Sequence, residues 1–195
     1  TRTQSWKFVL LAVFASLAAA SAAKPLAPAG GRPAPVDIGS RLELFVDDGL
    51  VEKTAGTEFV LHPPAAKEVA IVYDKPWEGN TSGYVTVFPD GGIFRMYYRG
   101  SNYDLKTGLH GRQVTCYAES RDGIRWEKPE LGLHEWDGSK KNNIILTPES
   151  VAAIKGDPAH TSVFKDANPD CPADARYKCV IVGKPHGLYL LKSAD

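Results

Sequence analysis

Acidic side chains beside aromatics and strand ends are where this sequence could do chemistry. Asp166 stands in "FKDANPDCP", Glu78 follows Trp77 in "WEGNTSG", and Asp47 and Asp48 are adjacent in "LFVDDG". Two carboxylates held roughly 5 to 9.5 Å apart can cleave a glycosidic bond, one as acid and the other as base or nucleophile. Each of these residues also has a plain reading. Asp is a favoured turn former, which suits Asp166 in a hairpin and Asp47-Asp48 before Gly49. Glu78 is otherwise a solvated loop residue. Trp77 offers a flat face to a sugar ring or fills a core. Arg95 and Arg99 share a strand face with Tyr97, where they line a polar channel or pair across strands.

Other chemistries find less support. "DANPDCPAD" begins like an EF-hand loop, but Cys171 holds the glycine position and Tyr177 the place of the closing Glu. No metal site or cofactor is expected, with a looser structural calcium site left open. No C-x-x-C occurs and the histidines lie far apart, so zinc is not indicated. Cys171 and Cys179 could pair in an oxidising compartment, leaving Cys116 as a buried thiol in a strand. With 23 basic against 23 acidic residues and no long run of one sign, neither nucleic acid nor a membrane surface is an expected partner.

The N-terminus supplies a context. Arg2 and Lys7 precede an apolar run from Phe8 to Ala20, and Ala20-Ser21-Ala22 fits a small-x-small cleavage pattern. Residues 1–22 therefore read as a secretory signal peptide, which predicts a secreted protein, periplasmic or extracellular. The run is short for a membrane span and no later stretch is long enough, so the mature protein is expected to have none. Residues 23–37, rich in Pro and Ala, read as a stiff linker. The chain opens on Thr, and an incomplete N-terminus is expected.

Residues 38–195 predict strands throughout. "RLELFV" alternates and stops at Asp47-Asp48-Gly49. "GYVTVF" and "IFRMYYR" flank a Gly-containing loop as a hairpin does, and "VTCYAES" and "NNIIL" follow. No window after the linker has helical periodicity, so the fold class is all-β. The pattern then repeats. Phe88-Pro89-Asp90 matches Phe164-Lys165-Asp166, "FRMYYRG" matches "YKCVIVG", and Ser120-Arg121-Asp122 matches Ser193-Ala194-Asp195. Separations between matched pairs drift, as loops of unequal length between equivalent strands require. A repeat of this size with about four antiparallel strands predicts a β-propeller blade. The first blade is expected at about 77–146 and the second at about 160–195, truncated. Asp122-Gly123 with Trp126 is expected to be structural, a turn and an aromatic packed between blades. Two blades cannot close a ring, so further blades are expected beyond Asp195.

At these motifs the chain resembles the five-bladed β-propeller glycosidases, the superfamily of glycoside hydrolase families 32, 43, 62 and 68. It is similar to a secreted bacterial group labelled family 32-like. The resemblance runs from about Arg41 to Asp195 through "LFVDD", "WEGNTSGYVTVFPDGG", "FRMYYRGS", "CYAESRDGIRWEKPELGL", "GSKKNNII" and "FKDANPDCP". It implies a carbohydrate substrate or ligand bound in a central pocket. Family 32 carries its nucleophile in W-x-N-D-P-N-G. Here Trp77 and Gly83 align but Asn80 holds the Asp position, and an amide is neither nucleophile nor base. The family's F-R-D-P implies Asp166 as transition-state stabiliser, with the general acid on a third blade. A rival register pairs His160-Thr161-Ser162 with Asn80-Thr81-Ser82. It turns His160 to the pocket and leaves Asp166 to close a hairpin. The expectation is a secreted carbohydrate-active propeller, a glycosidase by resemblance. Its rivals are a glycan-binding propeller without catalysis and a cell-surface interaction protein.

Overall fold

The computed structural model describes residues 34–185 and 187–195 in full and Lys7–Val9 by its backbone. The rest of the proposed leader and residues 23–33 of the linker lie outside the described residues. The chain divides into two units, Thr1–Val13 with Glu68–Asp195, and Phe14–Lys67.

In the second unit "RLELFV" forms no strand, contrary to its alternation. Leu42, Leu44 and Val46 are exposed, and an apolar face without a neighbouring strand has neither ladder nor packing to hold it. Asp47 and Asp48 form the turn expected on their plain reading. The Asp47 carboxylate accepts from the Gly49 amide at 2.9 Å, and the Asp48 carbonyl from Val51 at 3.0 Å.

The other unit is all-β. Strand β1 is Lys7–Val9, β2 Gly83–Asp90, β3 Ile93–Gly100, β4 Tyr103–Asp104 and β5 Leu109–His110. Then come β6 Val114–Ser120, β7 Ile144–Leu146, β8 Thr161–Lys165, β9 Tyr177–Gly183 and β10 Gly187–Ser193. Helix among the described residues is confined to two 3-10 turns, Ala152–Ile154 and Ala173–Ala175. A first sheet runs β2-β3-β6-β7, a second runs β8-β9-β10-β1, and β4-β5 is a small separate hairpin. All pairs are antiparallel, and both four-stranded sheets step outward in chain order from β2 and β8, apart from β1 on the far edge.

The ladders carry the internal match observed in the sequence. Phe94 pairs with Ser120 and Tyr98 with Cys116, while Tyr177 pairs with Ser193 and Ile181 with Tyr189. Pro89 opposes Phe94 as Lys165 opposes Tyr177. Gly100 and Gly183 end the second strand of each meander for one reason. A Cβ on Gly100 would lie 2.5 Å from the Trp77 carbonyl oxygen, and one on Gly183 would lie 2.7 Å from that of Ile154. In each copy the chain entering the inner strand passes under the glycine.

Between the sheets lies a core of Tyr97, Tyr117, Ile145 and Leu146 from the first and Val163, Cys179, Ile181 and Leu191 from the second, closed by Val151 and Ile154. Burying each such aliphatic side chain stabilises by roughly 1.5–3 kcal/mol. Behind the first sheet, Met96, Tyr98, Cys116, Ala118 and Ile144 are covered by Ile71, Tyr73, Trp77, Trp126 and Trp136. Trp126 thus packs on the face away from the second sheet rather than between the two. All three cysteines are free. Cys179 points into the core while the Cys171 thiol donates to the Ala175 carbonyl at 3.3 Å, so the Cys171–Cys179 pairing that the sequence left open is not made.

Candidate functional site

The inner strands β2 and β8 begin at one end of the pair of sheets and finish at the other, and the candidate residues divide between these ends. At the head, Gly79 has φ +68°, and a Cβ there would meet the Ser101 carbonyl oxygen at 2.5 Å, so only glycine fits. The next residue, Asn80, grips the β4–β5 hairpin by both ends of its amide. Its Nδ2 donates to the Tyr103 carbonyl at 3.0 Å and its Oδ1 accepts from the Tyr103 amide at 2.8 Å. A carboxylate could make only the second of these bonds. Asn80 is therefore used here as a mimic of a strand neighbour.

A bulge between Gly83 and Thr86 interrupts the β2 ladder. Tyr84 sits in it with φ +51°, a left-handed backbone that costs a side-chain-bearing residue of order 1 kcal/mol or more. The bulge swings its ring outward, 61% exposed. Arg99 lies over that ring with its guanidinium carbon 4.3 Å from the centroid. The same guanidinium is fixed by donating Nε and Nη2 to the Thr81 carbonyl at 3.0 and 2.5 Å. His160, just before β8, brings its ring centroid within 5.0 Å of Tyr84. Its Nδ1 is held 2.7 Å from the Asp157 carboxylate, whose other oxygen accepts from the Ala159 amide at 2.8 Å. Nδ1 is thus occupied and Nε2 is the ring nitrogen left for a ligand. Tyr84 and His160, both exposed, and the half-buried Arg99 form one contiguous group across the two sheets.

Trp77 and Glu78, expected to contact substrate, turn inward. Glu78 is 0% exposed, which also overturns its reading as a solvated loop residue. Its carboxylate accepts from the Tyr98 hydroxyl at 2.5 Å and the Lys75 amide at 2.8 Å, with Lys128 Nζ at 2.8 Å. Trp77 Nε1 donates to the Asn143 side chain at 2.7 Å, and Asn143 donates in turn to the Tyr98 hydroxyl at 2.7 Å. A charge buried this deeply persists because it is paired and hydrogen-bonded. Burial, then Cys116 and Glu78, push the Tyr98 hydroxyl far above the ordinary range of a phenol.

At the other end, about 20 Å of extended chain from His160, Asp166 closes the β8–β9 hairpin. Its amide donates to the Arg176 carbonyl at 2.8 Å, and its carboxylate caps Asn168 at 2.9 Å and binds Lys178. The Lys178 bond, then the Asn168 amide, lower its pKa to about 2. His160 thus stands at the head of β8 and Asp166 in the hairpin turn that follows it. The first sheet repeats the arrangement, since Asp90 ends β2 and pairs with Arg95 at 2.5 Å. Asp90 also accepts from Tyr177 at 2.6 Å and from Lys165, tying the two sheets. Burial alone would raise its pKa, but bonds from Lys165, Tyr177 and Arg95 outweigh it and hold the carboxyl well below its usual range. Between the finishing ends of β2 and β8 opens a pocket of about 630 Å³, lined by Val87, Phe88, Phe164, Asp166, Asn168 and Arg176 among others.

No protein-family model, curated protein or solved structure matches this chain.

Tyr84 and Asp157 were not singled out in the sequence. Asp157 carries a weak signal, an acid three residues before a histidine. Tyr84 carries none, because only the bulge makes it outward.

Proposed function

We propose that this chain is the first part of a secreted, carbohydrate-binding β-propeller and that the sugar is bound at the head of the inner strands. The observation that carries the reading is the exposed Tyr84 ring, held at a backbone cost, backed by Arg99 and flanked by His160. An aromatic face with hydrogen-bonding groups at its rim suits a sugar ring, whose C–H groups lie on the aromatic and whose hydroxyls reach the rim. Two meanders with matched ladders support the propeller, and the apolar run ending in Ala20-Ser21-Ala22 supports export. The resemblance to five-bladed glycosidases belongs to the same reading. The test is binding of soluble poly- and oligosaccharides by the whole chain and by Tyr84→Ala. At least tenfold weaker binding at an unchanged melting temperature is expected, and equal binding would remove the platform.

A second reading, glycosidase action through Asp166, is favoured by one observation, that Asp166 lines the pocket of about 630 Å³. It requires Asp166 to leave Lys178, and a second carboxylate from outside these residues. Loss of hydrolysis confined to Asp166→Asn in a glycan screen would support it, and unaltered activity would remove it.

A further inference from the structure

We infer that the saccharide held at Tyr84 is an anionic one, carrying a carboxylate or sulfate on the ring that meets the platform; the inference rests on the saccharide-binding reading of the site. The charge of Arg99 carries it. Arg41, Arg95, Arg112 and Arg125 each face a carboxylate within 2.9 Å. Arg99 faces none among the described residues, as is also true of Arg121 and Arg176, but those two are exposed whereas Arg99 is half-buried. Its partners are the Thr81 carbonyl and the Tyr84 ring, both uncharged.

The acid of this group is Asp157, and both of its oxygens are taken, one by His160 and one by the Ala159 amide. Arg99 is therefore a guanidinium that no carboxylate among the described residues pairs directly, and its plane is already set by two bonds to one carbonyl. Further N–H groups remain on it. A guanidinium so fixed loses little freedom on accepting an oxyanion, and the charge-assisted bond is about twice as strong as a neutral one. The aromatic beneath it makes a second demand, a flat ring bearing C–H groups. His160 Nε2, left over by the Asp157 bond, makes a third, a hydroxyl at the rim. A uronic acid residue or a sulfated hexose meets all three, whereas a neutral sugar leaves the guanidinium unanswered.

The test uses the whole chain and four polysaccharides in titration calorimetry at low and at physiological salt: polygalacturonate, its fully methyl-esterified form, a sulfated galactan and its desulfated form. At least tenfold preference for an acidic polymer over its neutral counterpart is expected, and the two acidic arms tell carboxylate from sulfate. Arg99→Gln should erase the preference, while Arg99→Lys, which keeps the charge, should retain most of it. Equal affinity for acidic and neutral polymers would overturn the anionic assignment and leave the saccharide site standing. Binding to none of the four, nor to neutral glucans and fructans, would overturn the site itself. The esterified and desulfated arms need no variant, so a folding defect in Arg99→Gln leaves the test decisive.

Discussion

Phe94, Tyr98 and Ser120 of the first sheet occupy the ladder positions that Tyr177, Ile181 and Ser193 occupy in the second, yet the two sheets live in different surroundings. Behind the first sheet a layer of aromatics from residues 71–77, with Trp126 and Trp136, covers the face turned away from its neighbour. Strand alternation turns Val180, Val182, Leu188 and Leu190 of the second sheet away from the shared core, and Val182 and Leu188 are 47% and 67% exposed. By the ladder, Val180 stands where Tyr97 stands in the first sheet. Tyr97 is packed against the second sheet, whereas Val180 is turned away from the shared core. The comparison also sorts function from architecture. What recurs in both copies, such as the glycine over a crossing chain and the Asp closing each hairpin on a cation, is framework. What occurs once, the Tyr84 bulge and the His160–Asp157 pair, has no framework duty to explain it.

The largest effect should come where the first sheet is most enclosed. Glu78→Gln removes the charge that accepts from Tyr98, the Lys75 amide and Lys128 and leaves Lys128 only the exposed Asp74 as its ion-pair partner, and losing one partner of a buried pair costs about 3 kcal/mol. Lys155, which follows the crossing carbonyl in the second copy, is exposed, and Lys155→Gln should change stability by less than about 0.5 kcal/mol. Urea melts of the two variants measure the contrast, and equal losses would mean that the first sheet's network is not what its burial indicates.

Next come the paired glycines. Gly100→Ala drives a methyl against the Trp77 carbonyl and, at 2.9 Å, against Val114. Overpacking of this kind costs about 2 kcal/mol. Gly183→Ala meets a carbonyl at 2.7 Å and the Tyr189 ring at 2.9 Å, and that ring is only partly buried. A smaller loss is expected there. A larger one would reverse the order of enclosure between the sheets.

Much of this was legible in the sequence. Four of the expected strands appear nearly where alternation puts them, and the repeat matched residue for residue because ladder register is fixed by side-chain period. Three things escaped. "RLELFV" has the pattern of a strand but nothing beside it to pair with, and alternation cannot supply a partner. The short hairpin of Tyr103–Asp104 and Leu109–His110 rests on the Asn80 amide, a contact that only the fold creates. Glu78 looked like a solvated loop residue because its partners Lys75, Tyr98 and Lys128 converge through space. Of the site, Arg99 and His160 could be named in advance, while the ring that joins them depends on a bulge with no local signature.

The hairpin-closing acids give a comparison by pH. A carboxyl whose folded pKa is depressed adds stability that is present above its unfolded pKa, near 4, and is lost as pH falls through the folded value. Asp90 is depressed by three donors, two of them from the second sheet. Asp90→Asn should therefore cost about 1–2 kcal/mol at neutral pH and flatten the fall in stability below pH 4. Asp166, at about 2, titrates in the same direction but is held by a half-buried pair within one hairpin rather than across the two sheets. Asp166→Asn should cost less than Asp90→Asn at neutral pH, since it breaks one ion pair inside a single hairpin rather than three bonds, two of which cross between the sheets. A loss as large as that of Asp90→Asn would show that bonds crossing between the sheets add nothing beyond a pair within one hairpin.

The smallest effect is expected on the open face of the second sheet, and it decides how the two sheets differ. Val182→Lys and Leu188→Lys exchange exposed apolar surface for charge without opening a cavity, so stability should change by no more than about 0.5 kcal/mol. Ile181→Ala, one position away but turned into the shared core, should cost about 3 kcal/mol. Alternation along one strand then becomes a measurable step in stability, large on the covered side and near zero on the other. Binding of a hydrophobic dye should fall in the two lysine variants, since they break the exposed apolar patch. If they instead destabilise as Ile181→Ala does, the face is covered in solution, and the asymmetry between the sheets disappears.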